Sequence, residues 1–164
     1  MKEFAAWAMM TAGLYVLQAS LFPLIAYHGV TVDFLLLMTV SFSFLRGMHQ
    51  GVLLGFWAGL MQDLASGTFF GIHTFSLSII ALFFGRFSDR VFKEQFFLPV
   101  LASIAATALN YFILLLLMLL LGYRFNIISH IQYTLFPMFF YQLAMAYFVH
   151  KQCYRLDKFF SARK

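Results

Sequence analysis

The chain has 164 residues, of which 63% are hydrophobic and only 10% are charged, and its mean hydropathy is +0.86. A soluble domain of this length needs a polar coat that so few polar residues cannot supply, so the composition excludes a soluble globular protein. The apolar runs are continuous rather than alternating, which favours a bundle of membrane helices over a transmembrane β-barrel.

Six apolar segments predict an all-α membrane protein with six transmembrane helices in one bundle. They are residues 4–21, 30–45, 47–64, 71–84, 96–121 and 131–149. The second and fourth segments are short for a hydrocarbon core of about 30 Å, and the fifth is long enough to tilt. The border between the second and third segments is only Leu45–Arg46–Gly47. We expect a tight turn there, because one unbroken helix through both segments would overrun any bilayer.

The first segment has an alternative interpretation as a cleaved signal peptide. Lys2 precedes it and Ala19–Ser20 lies near its end. Cleavage would leave five spans. The run is long, and no clear A-x-A site precedes a polar mature domain, so we favour a membrane helix.

The distribution of basic residues predicts the orientation of the bundle. Lys2, Arg46, the group Arg86, Arg90 and Lys93, and the five basic residues from Lys151 to Lys164 all fall on one side of the six segments. Only Arg124 falls on the other side. Basic residues are retained on the cytoplasmic side, so both termini should be cytoplasmic. The net charge of +5 is therefore a topology signal rather than a surface for nucleic acid.

The third segment carries glycine at every fourth position, and we expect it to be the packing centre of the bundle. The register comprises Gly47, Gly51, Gly55 and Gly59, and Asp63, Gly67 and Gly71 continue it. Small residues let membrane helices approach closely, and a four-residue spacing drifts slowly around the helix. The register therefore predicts a slanted groove that packs against neighbouring helices of the chain, against a partner, or against both.

Three charged residues are the polar candidates on the external side. Asp63 closes the glycine-rich segment, where the dipole of its own helix gives a carboxylate no benefit, so it is either solvated or kept for a partner. Asp33 lies at the external start of the second segment, where an acid in the first turn suits the helix dipole. We hypothesise that one of these two acids pairs with Arg124.

The sequence predicts no enzyme activity, no metal site and no cofactor. The five histidines are scattered, and no pair of them has ligand spacing on one helix face. No nucleophile with an orienting partner lies near Asp63 or His73, which disfavours an intramembrane enzyme. Pro137 should loosen or kink the sixth helix. Residues 150–164 read as a basic cytoplasmic tail that contacts anionic lipid.

The order of these features resembles the rod shape-determining protein MreD family of bacterial inner-membrane proteins. The resemblance is carried by three stretches: LQAS, VDFLLLMTVSFSFLRG and GVLLGFWAGLMQDLASGTFFGIHTFSLSIIALFFGR. The third is the most specific, with its glycine-spaced helix and its G-L-x-x-D-x-x-S-G turn. Val32 stands where the family often has proline.

The resemblance implies a non-catalytic membrane adaptor of the complex that elongates the lateral peptidoglycan wall. Proteins similar to MreD associate with the bitopic protein MreC. Through MreC they associate with the actin-like MreB, the glycosyltransferase RodA and its class B penicillin-binding transpeptidase. The implied location is the bacterial inner membrane.

A second hypothesis follows from a further likeness, because the bundle is also similar to the substrate-binding subunits of energy-coupling-factor vitamin transporters. A small-molecule binding subunit of this kind needs an external pocket with convergent polar groups. It also needs a partner ATPase module. The small residues Ala8 and Ala12 are four positions apart in the first segment, a spacing that suits docking to such a module. Small pairs of this kind are, however, common in membrane helices.

Overall fold

A computed structural model describes residues 2–21, 32–67, 70–88, 97–122 and 136–161. Over these ranges the chain is all α, with six helices and no strand. The helices in chain order are α1 (Lys2–Leu21), α2 (Phe34–Arg46), α3 (Met48–Ser66), α4 (Ile72–Gly85), α5 (Phe97–Leu120) and α6 (Phe136–Ser161).

The six helices fall on the six apolar segments of the sequence. For α3, α4 and α5 the predicted and observed ends differ by at most two residues. The predicted and observed ends agree because a helix in a long apolar run, bounded by glycine or charged residues, can begin and end at only a few positions. That each helix crosses a bilayer stays a prediction. In the described ranges, one stretch, Val100–Leu120 of α5, is both long and apolar enough to cross, while α2 and α4 are shorter apolar helices.

The break between α2 and α3 is a single residue, Gly47. Its φ of 85° is in the left-handed region, which glycine adopts without a steric penalty. The Gly47 N–H donates to the Ser43 carbonyl at 2.9 Å, and the Gly47 carbonyl accepts from the Gly51 N–H at 2.9 Å. The chain therefore ends one helix and starts the next at the same residue, where the sequence predicts a turn.

The sixth helix is longer than its apolar segment. It has 26 residues and continues to Ser161, so residues 150–161 are its final turns rather than a separate tail. Pro137 is the second residue of α6. The residues before Phe136 lie outside the described ranges, so the expected kink at Pro137 stays a prediction.

The centre of the bundle is α2, not the glycine-rich α3 that the sequence favours. Every residue of α2 from Phe34 to Leu45 is buried, and α2 contacts each of the other five described helices. By contrast, α3 exposes large side chains such as Leu53, Phe56 and Leu64. Glycine brings α3 close to its neighbours on one side only, whereas α2 carries large apolar side chains all round and is buried on every face.

Two hydrophobic clusters share α2 between them. One cluster joins its Phe34, Met38 and Phe42 to Trp7 of α1 and Val149 of α6. The second cluster joins the opposite face of α2 to α3, α4 and α5, and its buried residues are Leu35, Leu36, Val40, Phe44, Ala58, Leu77, Ile80, Phe84, Ala106 and Ile113. The central helix thus links the α1–α6 side of the bundle to the α3–α4–α5 side.

Candidate functional site

Asp63, at the end of α3, caps the start of α4. Its carboxylate accepts the backbone N–H groups of Gly71 at 3.0 Å, His73 at 2.9 Å and Thr74 at 2.9 Å. It also accepts the Thr74 hydroxyl at 2.5 Å, and the residue is only 3% exposed. The first N–H groups of a helix have no intrahelical acceptor, and a carboxylate satisfies them while it interacts favourably with the helix dipole. Asp63 therefore lies at the unfavourable end of its own helix and at the favourable end of the next one.

The turn that brings these groups together depends on two glycines. Gly67 follows α3 with φ 62°, and Gly71 precedes α4 with φ 103°. A Cβ at either position would meet nothing within 4 Å, so backbone conformation, not close packing, is what glycine provides here. In the sequence both residues continue the packing register. The structure places them in the turn that presents α4 to Asp63.

The middle of the register lies against other helices of the same chain. A Cβ on Gly59 would stand 2.6 Å from the Thr74 nitrogen, and one on Gly55 would stand 2.8 Å from the Leu77 carbonyl oxygen. Both neighbours are backbone atoms of α4. A Cβ on Gly51 would instead stand 2.9 Å from the Cβ of Ser43 in α2. These three positions therefore contact α4 and α2 directly, which leaves no room there for a partner helix.

Asp33 has a similar capping role at the start of α2. Its carboxylate accepts the Leu36 N–H at 3.0 Å, and the neighbouring Phe34 N–H donates to Gln18 of α1 at 2.9 Å. The side chain of Gln142, which is fully buried in α6, donates to the Asp33 carbonyl at 3.4 Å. The start of the central helix is thus tied to both α1 and α6.

Arg124 lies outside the described residues, so its pairing with either acid stays a prediction. The two acids are not equivalent as partners for it. Asp63 already accepts four hydrogen bonds from the start of α4, whereas the Asp33 carboxylate accepts a backbone N–H from Leu36 and lies beside the side chains of Gln62 and His73.

An ion pair at the opposite end of the bundle was not anticipated from the sequence. The Arg46 guanidinium, at the end of α2, donates to the Asp157 carboxylate of α6, and both side chains are largely buried. From its sequence context, Arg46 was interpreted only as a sign of topology. The signal that could have found the pair is the single acid, Asp157, in an otherwise basic segment that the charge distribution places on the same side as Arg46.

Several buried polar side chains inside the bundle are paired across and along helices. Ser76 of α4 donates to the Asn110 side chain of α5 at 2.6 Å. The hydroxyls of Ser43 and Thr107 donate to backbone carbonyls of their own helices at 2.6 and 2.7 Å. Such back-bonding satisfies a hydroxyl locally where no water is available. Single Ser, Thr and Asn residues carry no spacing that reveals their partners, so the Ser76–Asn110 pair could not be predicted from the sequence.

A shallow groove of about 330 Å³ runs along the outer side of the α3–α4 pair. Its lining is mainly apolar, with Phe56, Leu60 and Phe75 as the large side chains. Its hydroxyls are already used, because Thr74 donates to Asp63 and Ser78 donates to the Thr74 carbonyl at 2.7 Å. A site for a polar small molecule needs convergent polar groups that are available. The groove does not offer them, which disfavours the vitamin-binding hypothesis.

Metal ligands are not assembled in the part of the chain that the structure describes. No group of three or more His, Cys, Asp or Glu side chains lies close enough there to hold a metal ion. The capping role of Asp63 also gives its carboxylate a structural function. The arrangement at the α3–α4 turn fixes the relative position of the two helices.

Comparison with known proteins identifies the family. The family model described as rod shape-determining protein MreD matches residues 1–156 of the 164. No curated protein and no solved structure matches the chain. The chain belongs to the MreD family of bacterial membrane proteins, which is part of the system that determines rod shape.

Proposed function

We propose that this MreD-family chain is a non-catalytic adaptor in the bacterial inner membrane. Its role is to hold an MreC-like bitopic protein and, through it, an MreB-like filament, a RodA-like glycosyltransferase and a class B transpeptidase. The observation that carries the proposal is the family match over residues 1–156. The geometry supports a scaffold, because the most distinctive polar residue, Asp63, fixes helices in place.

The outer surface of the bundle supports placement in a bilayer. Large apolar side chains are exposed on every helix except α2, and they include Met9, Phe56, Phe75, Phe112 and Phe140. A monomeric soluble protein rarely exposes apolar patches of this extent. Lipid is the solvent that suits such a perimeter, and we propose that all six helices cross it.

The short central helix is compatible with this placement. With 13 residues α2 is about 20 Å long, less than the hydrocarbon thickness of about 30 Å. Because α2 is buried from Phe34 to Leu45, it contacts protein rather than lipid. Its length therefore need not match the bilayer, and the lipid-facing helices set the thickness instead.

Two contacts support the proposed orientation with both termini in the cytoplasm. The Arg46–Asp157 ion pair brings the end of α2 and the end of α6 together. A Cβ on Gly85 would stand 2.6 Å from the Met48 Cα, so the end of α4 lies at the same place. These ends carry Arg46, Arg86 and the basic turns of α6, which are the residues expected on the cytoplasmic side.

The adaptor proposal is tested by recovering the tagged chain from its native membranes in mild detergent and identifying bound proteins by mass spectrometry. We expect an MreC-like bitopic protein together with RodA-like and transpeptidase chains. Recovery of a paired ATPase with a membrane coupling subunit would instead contradict the adaptor role. When this recovery is repeated with Gly59→Leu, Gly13→Leu is the control variant, because a side chain at Gly13 meets nothing within 4 Å.

A further inference from the structure

The outward face of α6 changes from apolar to basic along its length. The residues on this face are Phe140, Leu143, Tyr147, Lys151, Arg155 and Lys158. At about 100° per residue, these six positions fall within an arc of about 120°, and Phe140, Tyr147 and Lys158 fall within about 20°. The opposite face carries the buried Gln142, Val149 and Cys153. We call this outward arc the α6 stripe.

The apolar part of the α6 stripe is about one leaflet long. From Phe140 to Lys151 the helix rises about 16 Å, close to half of a hydrocarbon core of about 30 Å. Phe140 and Tyr147 are 63% and 49% exposed. From Phe140 the apolar part therefore covers about the depth of one leaflet before the basic residues begin.

In the described part of the chain, no acid is paired with the exposed cations of the α6 stripe. Asp157, which could neutralise it, is buried and engaged with Arg46. Arg155 and Lys158 are exposed, and neither has an ion-pair partner within the ranges that the structure describes. The Lys151 ammonium lies 5.6 Å from the centre of the Tyr147 ring, which places this cation at the junction between the apolar and basic parts.

We propose that the α6 stripe binds one anionic phospholipid of the cytoplasmic leaflet. The acyl chains lie along Phe140, Leu143 and Tyr147, and the phosphate lies among Lys151, Arg155 and Lys158. An anionic lipid has both features that the stripe matches, an apolar length of one leaflet and a negative group at its end. The three cations at the end of the stripe favour an anionic lipid over an apolar partner helix, which would bring no negative group to them.

This inference rests on the bilayer placement given under the proposed function and refines it from general contact with lipid to one defined site. The experiment uses the purified full chain in mild detergent and native mass spectrometry. Phosphatidylglycerol and phosphatidylcholine with identical acyl chains are added in turn, and the fraction of protein that retains one lipid is measured. We expect phosphatidylglycerol to be retained selectively.

The test variant combines Arg155→Gln with Lys158→Gln, and the control combines Lys2→Gln with Arg86→Gln. Both remove two positive charges from the same predicted side of the protein. We expect retention of phosphatidylglycerol to fall by about tenfold or more in the test variant and to stay unchanged in the control. Elution as a single species in size-exclusion chromatography shows that each variant is folded. A third variant, Arg155→Lys with Lys158→Arg, keeps the charge and should keep the lipid.

Four results would overturn the proposal. Equal retention of the two lipids would show that acyl chains adhere without headgroup recognition, and equal loss in test and control variants would show a general effect of net charge. Displacement by soluble glycerol phosphate would show that the cations bind free phosphate instead. If lipid retention were unselective but the test variant alone lost the MreC-like partner from native membranes, the stripe would be a protein-docking face. The adaptor role would then stand while the lipid site failed.

Discussion

The α3–α4 pair and the α6 helix are held in the bundle by different kinds of contact. Between α3 and α4, backbone meets backbone, because Gly55 and Gly59 leave no side chain between the helices. The Asp63 carboxylate then closes the turn by capping α4. In α6 the contacts are made by side chains, with Val149 and Cys153 in an apolar cluster and Asp157 paired with Arg46.

This difference determines how each region responds to substitution. Side chains in a core can change rotamer and repack around an altered neighbour, whereas two helix backbones can only move apart. In lipid no hydrophobic force restores a separated helix pair, so close packing and polar contacts supply most of its stability. We therefore expect the α3–α4 pair to be sensitive to a single added side chain and α6 to tolerate moderate changes.

The largest effect is expected for Gly59→Leu. Even the Cβ would stand 2.6 Å from the Thr74 nitrogen and 2.7 Å from the His73 carbonyl oxygen, so α3 and α4 must separate and break the Asp63 cap. We expect the free energy of unfolding to fall by more than about 3 kcal/mol, measured by titration of the purified protein with a denaturing detergent. Gly55→Leu should act in the same direction, and both should reduce recovery of the MreC-like partner.

Gly13→Leu is the matched control for this prediction. Gly13 is also a helical glycine, but a Cβ there meets nothing within 4 Å. Leucine has the higher helix propensity, so this variant should unfold at the same detergent concentration as the wild type or slightly above it. If Gly59→Leu were as stable as Gly13→Leu and recovered the partner equally well, the backbone contact would not stabilise the bundle.

The next largest effect is expected for Asp63→Ala. Alanine leaves the N–H groups of Gly71, His73 and Thr74 without their acceptor at a place with little access to water. We expect a loss of about 2–3 kcal/mol in the free energy of unfolding. Asp33→Ala removes a cap whose carboxylate accepts the Leu36 N–H, and it should cost about 1 kcal/mol. Equal losses for the two variants in the same detergent titration would contradict the bridging role of Asp63.

The α3–α4 contact was the more predictable of the two regions. Glycine at every fourth position is a pattern of spacing, and close helix approach is its direct consequence. The sequence also singled out Asp63, but judged it by the dipole of its own helix. What it could not supply was the turn through Gly67 and Gly71, which places the start of α4 beside the carboxylate.

The contacts of α6 were hidden from the sequence for a different reason. Arg46 and Asp157 lie 111 positions apart, and no spacing rule connects two residues at that separation. The continuation of α6 beyond Val149 was also not predicted, because polarity after Val149 marks the end of an apolar run but not the end of a helix. A helix with one buried and one charged face continues beyond the lipid without any break in pattern.

Breaking the Arg46–Asp157 pair should have a moderate effect on stability, which sharpens the contrast between α6 and the α3–α4 pair. Removing either partner leaves a largely buried charge, so Arg46→Gln and Asp157→Asn should each destabilise the protein. In a double-mutant cycle we expect a coupling energy of about 1–2 kcal/mol. A coupling energy near zero would show that the apolar cluster alone holds the end of α2 against the end of α6.

The smallest effect is expected for Ser76→Ala, which removes the hydrogen bond between α4 and α5. The Ser76 hydroxyl donates to the Asn110 side chain at 2.6 Å. Such bonds between membrane helices contribute only about 0.6 kcal/mol, because the separated helices also find partners for their polar groups. Ser78→Ala is the control, since Ser78 donates within its own helix to the Thr74 carbonyl. Ser78→Ala should lower the free energy of unfolding less than Ser76→Ala does. An effect of Ser76→Ala as large as that of Gly59→Leu would mean that side-chain bonds, and not backbone contact, hold α4 in place.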